Sequence, residues 1–334
     1  MTIKEFADHL GISTATVSRA FTPGTRIRPA TRTHILDQAR QLGYVPNPNA
    51  RNLARRHSRL IGLDYPGAID VLMDPFLIEL AHGVQTGVQH AGYGLLLNTM
   101  PRPDDAIELL REWVFGRAVD GVVVVIPPDF PMESLCPLVG QEIPCVLISR
   151  HPTPDIGLPA VTLDLAEGAR SALTHLRRLG HTRIGFLTSA IDSLYTVYEE
   201  TLRPESLFDP RFVVETASTI ADGRAAMHRL LAAPIHPTAV FCRTDILALG
   251  ALRAVKDMGL RVPTDISLVG HDDITLTALS DPALTTVRID TARIGRLATE
   301  LLLTSLKQGA TQGAPPIVTV GSELIVRAST APVS

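Results

Sequence analysis

Apolar residues recur at helical spacing through the first forty-odd positions and then give way to short apolar runs separated by mixed stretches. Ile3, Phe6, Ala7 and Leu10 share one face of a helix whose start is framed by Thr2 and Glu5, the arrangement of a capping box. Gly11 stops it, and Ser13 caps a second helix with Val17, Ala20 and Phe21 inward. Arg28-Pro29 opens a third, with Ile35, Ala39 and Leu42 on its buried side and Gly43 at its end. Three short helices in this order predict a helix-turn-helix head over residues 1–45.

From residue 59 onward the pattern alternates between strand and helix. IGLDYP, YGLLLN, GVVVVI, PCVLIS, AVTLD, RIGFLT, FVVE, TAVFC and ISLVGHDD read as buried strands. Asp74-Pro75 opens a helix carrying Leu77, Leu80, Ala81, Val84, Val88 and Ala91, closed by Gly92. Further helical stretches fall around 104–115, 132–141, 165–179, 222–232 and 245–258. Strands spaced by helices predict parallel, doubly wound sheets, and about 270 residues suffice for two such lobes. The fold class is therefore α/β, with a small all-α head before a two-lobed body at 59–334.

Charge divides the chain the same way. The first 60 residues hold ten Lys and Arg against Glu5, Asp8 and Asp37, while the chain as a whole has 31 basic and 34 acidic residues. A basic head on an acidic body is the electrostatic footprint of a nucleic-acid module fused to something else. On the second helix Thr14, Ala15, Ser18 and Arg19 lie opposite the apolar face, and Thr16 joins them among the DNA-facing candidates. A small, polar, cation-bearing face at a helix N-terminus suits the major groove. The bland reading is a helical bundle with a solvated face, which leaves the charge asymmetry unexplained.

Residues 46–58 form a linker with a signal of its own. Asn47 can cap and Pro48 start a helix, with Ala50, Leu53 and Ala54 as its small or apolar positions and Arg51, Arg55 and Arg56 for phosphates. About two turns are too short to be stable alone in water. A leucine on such a basic segment is a candidate wedge for minor-groove base steps, and the alternative is a linker whose leucine packs on the body.

TIKEFADHLGIS-ATVSR, the GYVPN junction and AR-L resemble the lactose-repressor (LacI) family of bacterial transcription regulators, and the resemblance continues to the end of the chain. It implies that Thr14 and Ala15 choose the operator sequence, that Arg19 reads a base, that Arg26 stands where another base contact sometimes occurs, and that Leu53 is the intercalating leucine of a hinge helix. It also implies a periplasmic-binding-protein-like body. Lobe 1 is then about 59–161 and 290–320, lobe 2 about 162–289 and 321–331, with a ligand in the cleft at the strands' carboxyl ends.

The resemblance implies a small-molecule effector, with a sugar or glycoside the commonest class, and makes Asp272 the ligand-binding aspartate. FCRTDILALGALRAVKDMGLRVPTDISLVGHDD is close to the family pattern, but Thr244 stands where Asn is common, Ser149 where many members have Asp, and His271 replaces an aromatic. AIDSLYTVYEETLRPESLFDP is shorter than usual and lacks the Arg-x-x-Gly pattern, with Arg203 a candidate substitute. Arg150 follows Ser149 at a strand's end in the other lobe and can face the same cleft. Phe76, Trp113, Tyr195 and Tyr198 are candidates for a stacking face, against the commoner role of lone aromatics as core.

Other classes fit less well. No apolar run reaches the roughly 18 residues of a membrane span, and the amphipathic, capped N-terminus is no signal peptide, so a cytoplasmic location is expected. Cys136, Cys145 and Cys242 are an odd count without CxxC spacing and read as buried small residues. No Walker-type loop or nucleophile elbow is present, and no cofactor or metal is expected. His151, His181, His271, Asp164, Asp272 and Asp273 are the only evident acid-base candidates, and ligand binding explains the His-Asp-Asp run better than catalysis. The expectation is a non-enzymatic, operator-binding repressor of carbohydrate transport or catabolism genes, acting as a homodimer. The helix faces at 75–91 and 245–258 supply the expected dimer contacts. The alternatives are a regulator answering to a non-sugar metabolite or to no ligand, or an enzyme or sugar-binding protein on the same lobes.

Overall fold

A computed structural model of the chain describes residues 1–22, 24–46, 57–65, 74–98, 106–126, 130, 135, 144–150, 157–189, 191–308 and 314–333. It falls into two compact units, Met1–Arg59 and Leu60–Ser334. The expected hinge positions Ala50, Arg51, Leu53 and Ala54, and all of the stretch expected to be helical at 132–141 except residue 135, lie outside the described residues.

The first unit contains α1 (Ile3–Leu10), α2 (Thr14–Ala20) and α3 (Pro29–Leu42). The capping box is closed in both directions: Thr2 N donates to Glu5 Oε2 at 2.8 Å, and Glu5 N to Thr2 Oγ1 at 3.3 Å. Gly11 and Gly43 end their helices at φ 64° and 65°, a left-handed conformation in which a Cβ would be strained. Phe6, Ala7, Val17, Ala20, Ile35, Ala39 and Tyr44 form the core. Leu42, expected inside, is 40% exposed. Gly43 turns the chain back, and Tyr44 stacks on Phe6 at 4.2 Å between centroids, filling the space Leu42 was expected to take.

The body holds two six-stranded sheets. Lobe 1 orders its strands β11-β5-β4-β3-β1-β2, where β1 is Leu60–Asp64, β2 Gly94–Leu97, β3 Gly121–Ile126, β4 Cys145–Ser149, β5 Ala160–Leu163 and β11 Ile317–Val320. Every neighbouring pair is parallel. Lobe 2 orders β12-β10-β9-β8-β6-β7, where β6 is Ile184–Thr188, β7 Val213–Glu215, β8 Ala239–Cys242, β9 Ser267–Asp272, β10 Thr285–Ile289 and β12 Ser322–Ile325. Here β12 is antiparallel to β10. The single residue Gly321 separates β11 from β12, leaving no room for the helical crossover that a parallel strand needs. The chain therefore passes between lobes after β5, after β10 and at Gly321.

Helices cover the sheets. Lobe 1 carries α4 (Pro75–His90), α5 (Ala106–Phe115) and α11 (Thr291–Gln308). Lobe 2 carries α6 (Ala166–Arg178), α7 (Ser193–Leu202), α8 (Ile220–Leu231), α9 (Asp245–Asp257) and the short α10 (Thr275–Leu279). Leu80, Val84 and Val88 of α4 are fully buried in the lobe's own core with Ile294, Ala298 and Leu302 of α11. Leu247, Ala248, Ala251, Ala254 and Val255 of α9 are likewise buried, packed with Ala226, Met227 and Leu230 of α8. Most apolar residues expected to be surplus for dimer contacts are thus core. The helix over 291–308 is not among the stretches read as helical from the sequence, so the partner of α4 is not evident there. No helix among the described residues is long and apolar enough to cross a membrane.

Candidate functional site

The head presents the expected face on α2. Thr14, Ala15, Ser18 and Arg19 are exposed while Val17 and Ala20 are buried, and Arg26 is exposed in the turn that follows. Thr16 is only half-exposed. Its backbone N–H donates to Ser13 Oγ at 3.2 Å, and the two hydroxyls lie 2.9 Å apart, so Thr16 belongs partly to the helix cap. Arg32, one of the ten basic residues of the head, is structural. Its Nη2 donates to Thr22 O at 3.0 Å and to Thr25 Oγ1 at 3.0 Å, fastening the turn between α2 and α3.

In the body a cavity of about 600 Å³ opens between the lobes, at the carboxyl ends of the strands. Phe76, Arg150, Thr244 and Asp272 all line it. Asp74 caps α4 by accepting from Phe76 N at 2.9 Å, which sets Phe76 at the mouth of that helix. The Arg150 guanidinium lies over the Phe76 ring, 3.9 Å from its centroid. Arg150 Nη2 also reaches across to Asp272 Oδ1 at 3.4 Å. Burial raises the Asp74 carboxyl above its ordinary value, against the pull of Arg150.

Asp272 is held in an unusual backbone. It has φ 112° and Asp273 φ 58°, two consecutive non-glycine residues at positive φ. Such strain persists only where the surroundings over-determine it. Asp273 supplies part of that restraint, accepting from Arg327 Nη2 at 2.6 Å and Arg288 Nε at 2.7 Å. Asp245 supplies more, accepting from Ile274 N at 2.9 Å and Thr286 Oγ1 at 2.6 Å. Burial, reinforced by the neighbouring Asp272, holds the Asp245 carboxyl well above the usual carboxylate range. His271 is fully buried, its Nδ1 3.3 Å from Asp272 Oδ1, and its Nε2 has no hydrogen-bond partner among the described residues. The His-Asp-Asp run is thus a braced strand end.

Thr244 is the N-cap of α9, accepting from Leu247 N at 3.3 Å, and its hydroxyl is 2.9 Å from Ser218 Oγ. Ser149 does not line the cavity. It is the last residue of β4 and buried, and strand alternation sends it to the face opposite Ile148 and Arg150, both of which do. Arg203 is also elsewhere: its side chain is 63% exposed, paired with Glu199 and lying over Phe208. Trp113 and Tyr195 pack in their own lobes, and the buried Tyr198 donates to Ile184 O at 2.8 Å. Of the four candidate aromatics only Phe76 lines the cavity, and Tyr65 joins it from the end of β1.

Sequence reasoning missed Arg243. It lies at the end of β8, lines the cavity, and is almost fully buried against Asp192, the residue that caps α7. A cation ending an apolar strand, just before a helix cap, is the signal that points to it. The pairing with Asp192, 51 residues away, has no such signal. His181, an acid-base candidate by sequence, has a structural role instead, hydrogen-bonding to Thr238 and Ser267 within lobe 2. Burial pushes the Cys145 thiol up to about 12 and raises that of Cys242, so neither is a ready nucleophile. No group of three or more metal-ligating side chains occurs among the described residues.

Comparison with known proteins gives this arrangement its context. Residues 2–47 match the family model for bacterial regulatory proteins of the lacI family, and residues 173–330 match a periplasmic binding protein-like domain. The HTH-type transcriptional repressor CytR of Escherichia coli is 32% identical over 338 residues, covering 98% of this chain and 96% of that protein. The chain belongs to the LacI family. The HTH-type transcriptional repressor PurR of Haemophilus influenzae is 30% identical, with 98% of each chain covered. Among solved structures, a complex of the transcriptional regulator CelR with cellobiose is 28% identical, covers 98% of this chain and 99% of that one, and has a TM-score of 0.71. The lac repressor dimer bound to operator and the anti-inducer ONPF is similar in fold, with a TM-score of 0.82 at 24% identity over 99% of both chains. This LacI-family chain is thus a transcriptional repressor by kinship, with a helix-turn-helix head on a two-sheet α/β body, and its relatives are named repressors rather than enzymes.

Proposed function

We propose that this repressor binds operator DNA as a homodimer and is controlled by a small polyhydroxylated effector, a sugar or glycoside, taken up in the cleft between the lobes. The observation that carries the effector reading is the convergence of Asp272 and Arg150, from opposite lobes, over Phe76 in one cavity. A carboxylate accepts two hydroxyls and a guanidinium donates to ring or hydroxyl oxygens, which suits a neutral polyol. Thr244 and the missed Arg243 extend the polar wall, and the apolar remainder suits the carbon face of a sugar ring. The cellobiose held by CelR supports the same ligand class.

On the DNA side, Thr14, Ala15, Thr16, Ser18, Arg19 and Arg26 form the surface that enters the major groove. Ala50, Arg51, Leu53 and Ala54 form a hinge that orders in the minor groove, with Leu53 as the wedge. Effector binding biases the relative disposition of the lobes and thereby the operator affinity. Carbohydrate transport or catabolism genes are the natural targets of a sugar-responsive repressor.

The test is operator mobility shift titrated with mono- and disaccharides, for wild type and Asp272→Ala. The expected result is a response by wild type to at least one sugar, lost in the variant while operator binding persists. A wild type that ignores every sugar yet answers to a nucleobase or a phosphorylated metabolite overturns the effector class. Sedimentation at micromolar concentration checks the dimer, and a stable monomer would remove it.

A further inference from the structure

The pair that marks the effector cleft is already closed on itself. Arg150 belongs to lobe 1, at the end of β4, and Asp272 to lobe 2, at the end of β9, and they meet at 3.4 Å with side chains only 15% and 6% exposed. Two features hold the guanidinium ready on its own side: the Phe76 ring beneath it at 3.9 Å and the attraction of Asp74. Two features brace its partner: His271 Nδ1 at 3.3 Å from the same Oδ1, and the strained backbone at φ 112°. A second contact crosses the same gap, Thr275 Oγ1 of α10 donating to Glu79 Oε1 of α4 at 3.2 Å. Glu79 in turn accepts from Thr291 Oγ1 at 3.3 Å, so it is anchored in lobe 1.

We propose that the Arg150–Asp272 ion pair is an inter-lobe latch that keeps the cleft closed without effector, and that an effector binds by displacing Arg150 from Asp272. The displacement step rests on the reading of this cleft as the effector site; the latch itself does not. Sheltered from bulk water, the pair is screened less than a surface pair. Removing one member leaves a buried charge without its counter-ion, which favours opening to water. The latch also sets a requirement on the ligand. Once Arg150 leaves, Asp272 faces Asp74 without the cation between them, so the incoming molecule must bring hydrogen-bond donors to Oδ1. A molecule offering only acceptors cannot replace the guanidinium.

The experiment measures lobe separation in the full-length protein without DNA or sugar, by electron–electron resonance between nitroxides at Gln85→Cys on α4 and Ala225→Cys on α8, both exposed positions. With labelled protein diluted into excess unlabelled protein so that only distances within one protomer are read, the latch requires a single short distance for wild type, a shift to longer distances for Arg150→Met, and recovery of the short distance in the charge-swapped Arg150→Asp/Asp272→Arg double variant. Glu79→Gln, which keeps its size, should give a smaller shift in the same direction. An Arg150→Met distribution identical to wild type overturns the proposal. So does opening that the swapped pair fails to reverse, since that marks lost packing on Phe76 rather than a lost ion pair. Far-ultraviolet circular dichroism of each variant separates opening from unfolding. Ribose and cellobiose are then added to wild type. A latch that opens in Arg150→Met while neither sugar nor any other saccharide shifts operator binding leaves the latch standing and removes the sugar reading. A normal sugar response with no change in lobe distance on Arg150→Met does the reverse.

Discussion

Asp245 lies against Gly270 so closely that a Cβ added at Gly270 would overlap the Asp245 Oδ1 atom. Leu284 Cδ2 would stand 2.9 Å from the same added carbon, so neither side offers relief. Gly270 is two residues before Asp272 on β9, and Asp245 is the carboxylate that ties β9, β10 and the start of α10 together through Thr286 and Ile274. Gly270→Ala is therefore expected to destabilise the body by about 1–3 kcal/mol, the range for overpacking a filled core. It should also weaken effector response by displacing Asp272. Denaturant midpoints and the sugar titration check it, and an unchanged midpoint would mean that Asp245 can move aside at no cost.

His181 predicts how stability depends on pH. Its Nε2 is 3.0 Å from the Ala331 carbonyl, which can only accept, so Nε2 carries the proton of the neutral ring; Nδ1 is 3.0 Å from Thr238 Oγ1. Burial lowers its pKa below the ordinary 6.5, the largest of its causes. The unfolded state thus binds the proton more readily. The contribution is fully present above the unfolded pKa and is lost as pH falls from there toward the folded value. The His181 share of the melting temperature should therefore fall as pH drops below the ordinary 6.5, against the opposite trend of the raised Asp245 and Asp74 carboxyls, which stabilise as pH falls. His181→Gln should flatten that fall, leaving the weaker share of His175, which burial also lowers. An unchanged slope in thermal melts across this window would place the acid sensitivity elsewhere.

Tyr44 should matter more to the head than its position beyond α3 suggests. Its ring stacks on Phe6 and meets Phe21 edge-on at 5.8 Å, and only 5% of it is exposed. Truncating a buried aromatic costs about 3–5 kcal/mol, comparable to the whole stability of a small domain. Tyr44→Ala is expected to unfold residues 3–42 and abolish operator binding while the body stays intact, whereas Tyr44→Phe keeps the stack. Hydrogen exchange of the full-length protein checks this, and protected amides in α1 and α3 of the alanine variant would contradict it.

These residues also mark what the sequence makes legible. Capping boxes, helix-ending glycines and apolar strand runs are local signals, and the three head helices and the β-strands from β1 to β9 follow them closely. Leu42 and Tyr44 exchange roles because the turn at Gly43 brings a residue from outside the helix onto Phe6, which helical periodicity alone does not reveal. Alternation along β4 could have separated Ser149 from Arg150; the resemblance drew attention to the first, while the period of two favours the second. Arg243 is visible as a strand-end cation, but its counter-ion Asp192 depends on tertiary folding. The apolar face of α4 looks surplus until α11 is seen to cover it.

Arg19 gives the sharpest test of the head. It is exposed on α2 beside Thr14, Ala15 and Ser18, while its backbone carbonyl accepts from Thr25 Oγ1 at 2.6 Å, which fixes the helix end that carries it. Its side chain is exposed on the face that would meet a base edge, whereas Arg32, tied to Thr22 and Thr25, holds the fold. Arg19→Ala should weaken specific operator binding by about 1–3 kcal/mol, the discrimination of one bidentate base contact. Binding to random DNA should fall much less, and the salt dependence should change little, because no phosphate contact is lost. Arg32→Ala should act differently, lowering specific and random binding together through a loosened turn between α2 and α3. Fluorescence anisotropy with operator and scrambled duplexes, at two salt concentrations, separates the two. If Arg19→Ala reduces both affinities equally and lowers the salt slope by about one, it contacts a phosphate, and another member of the α2 face reads the base.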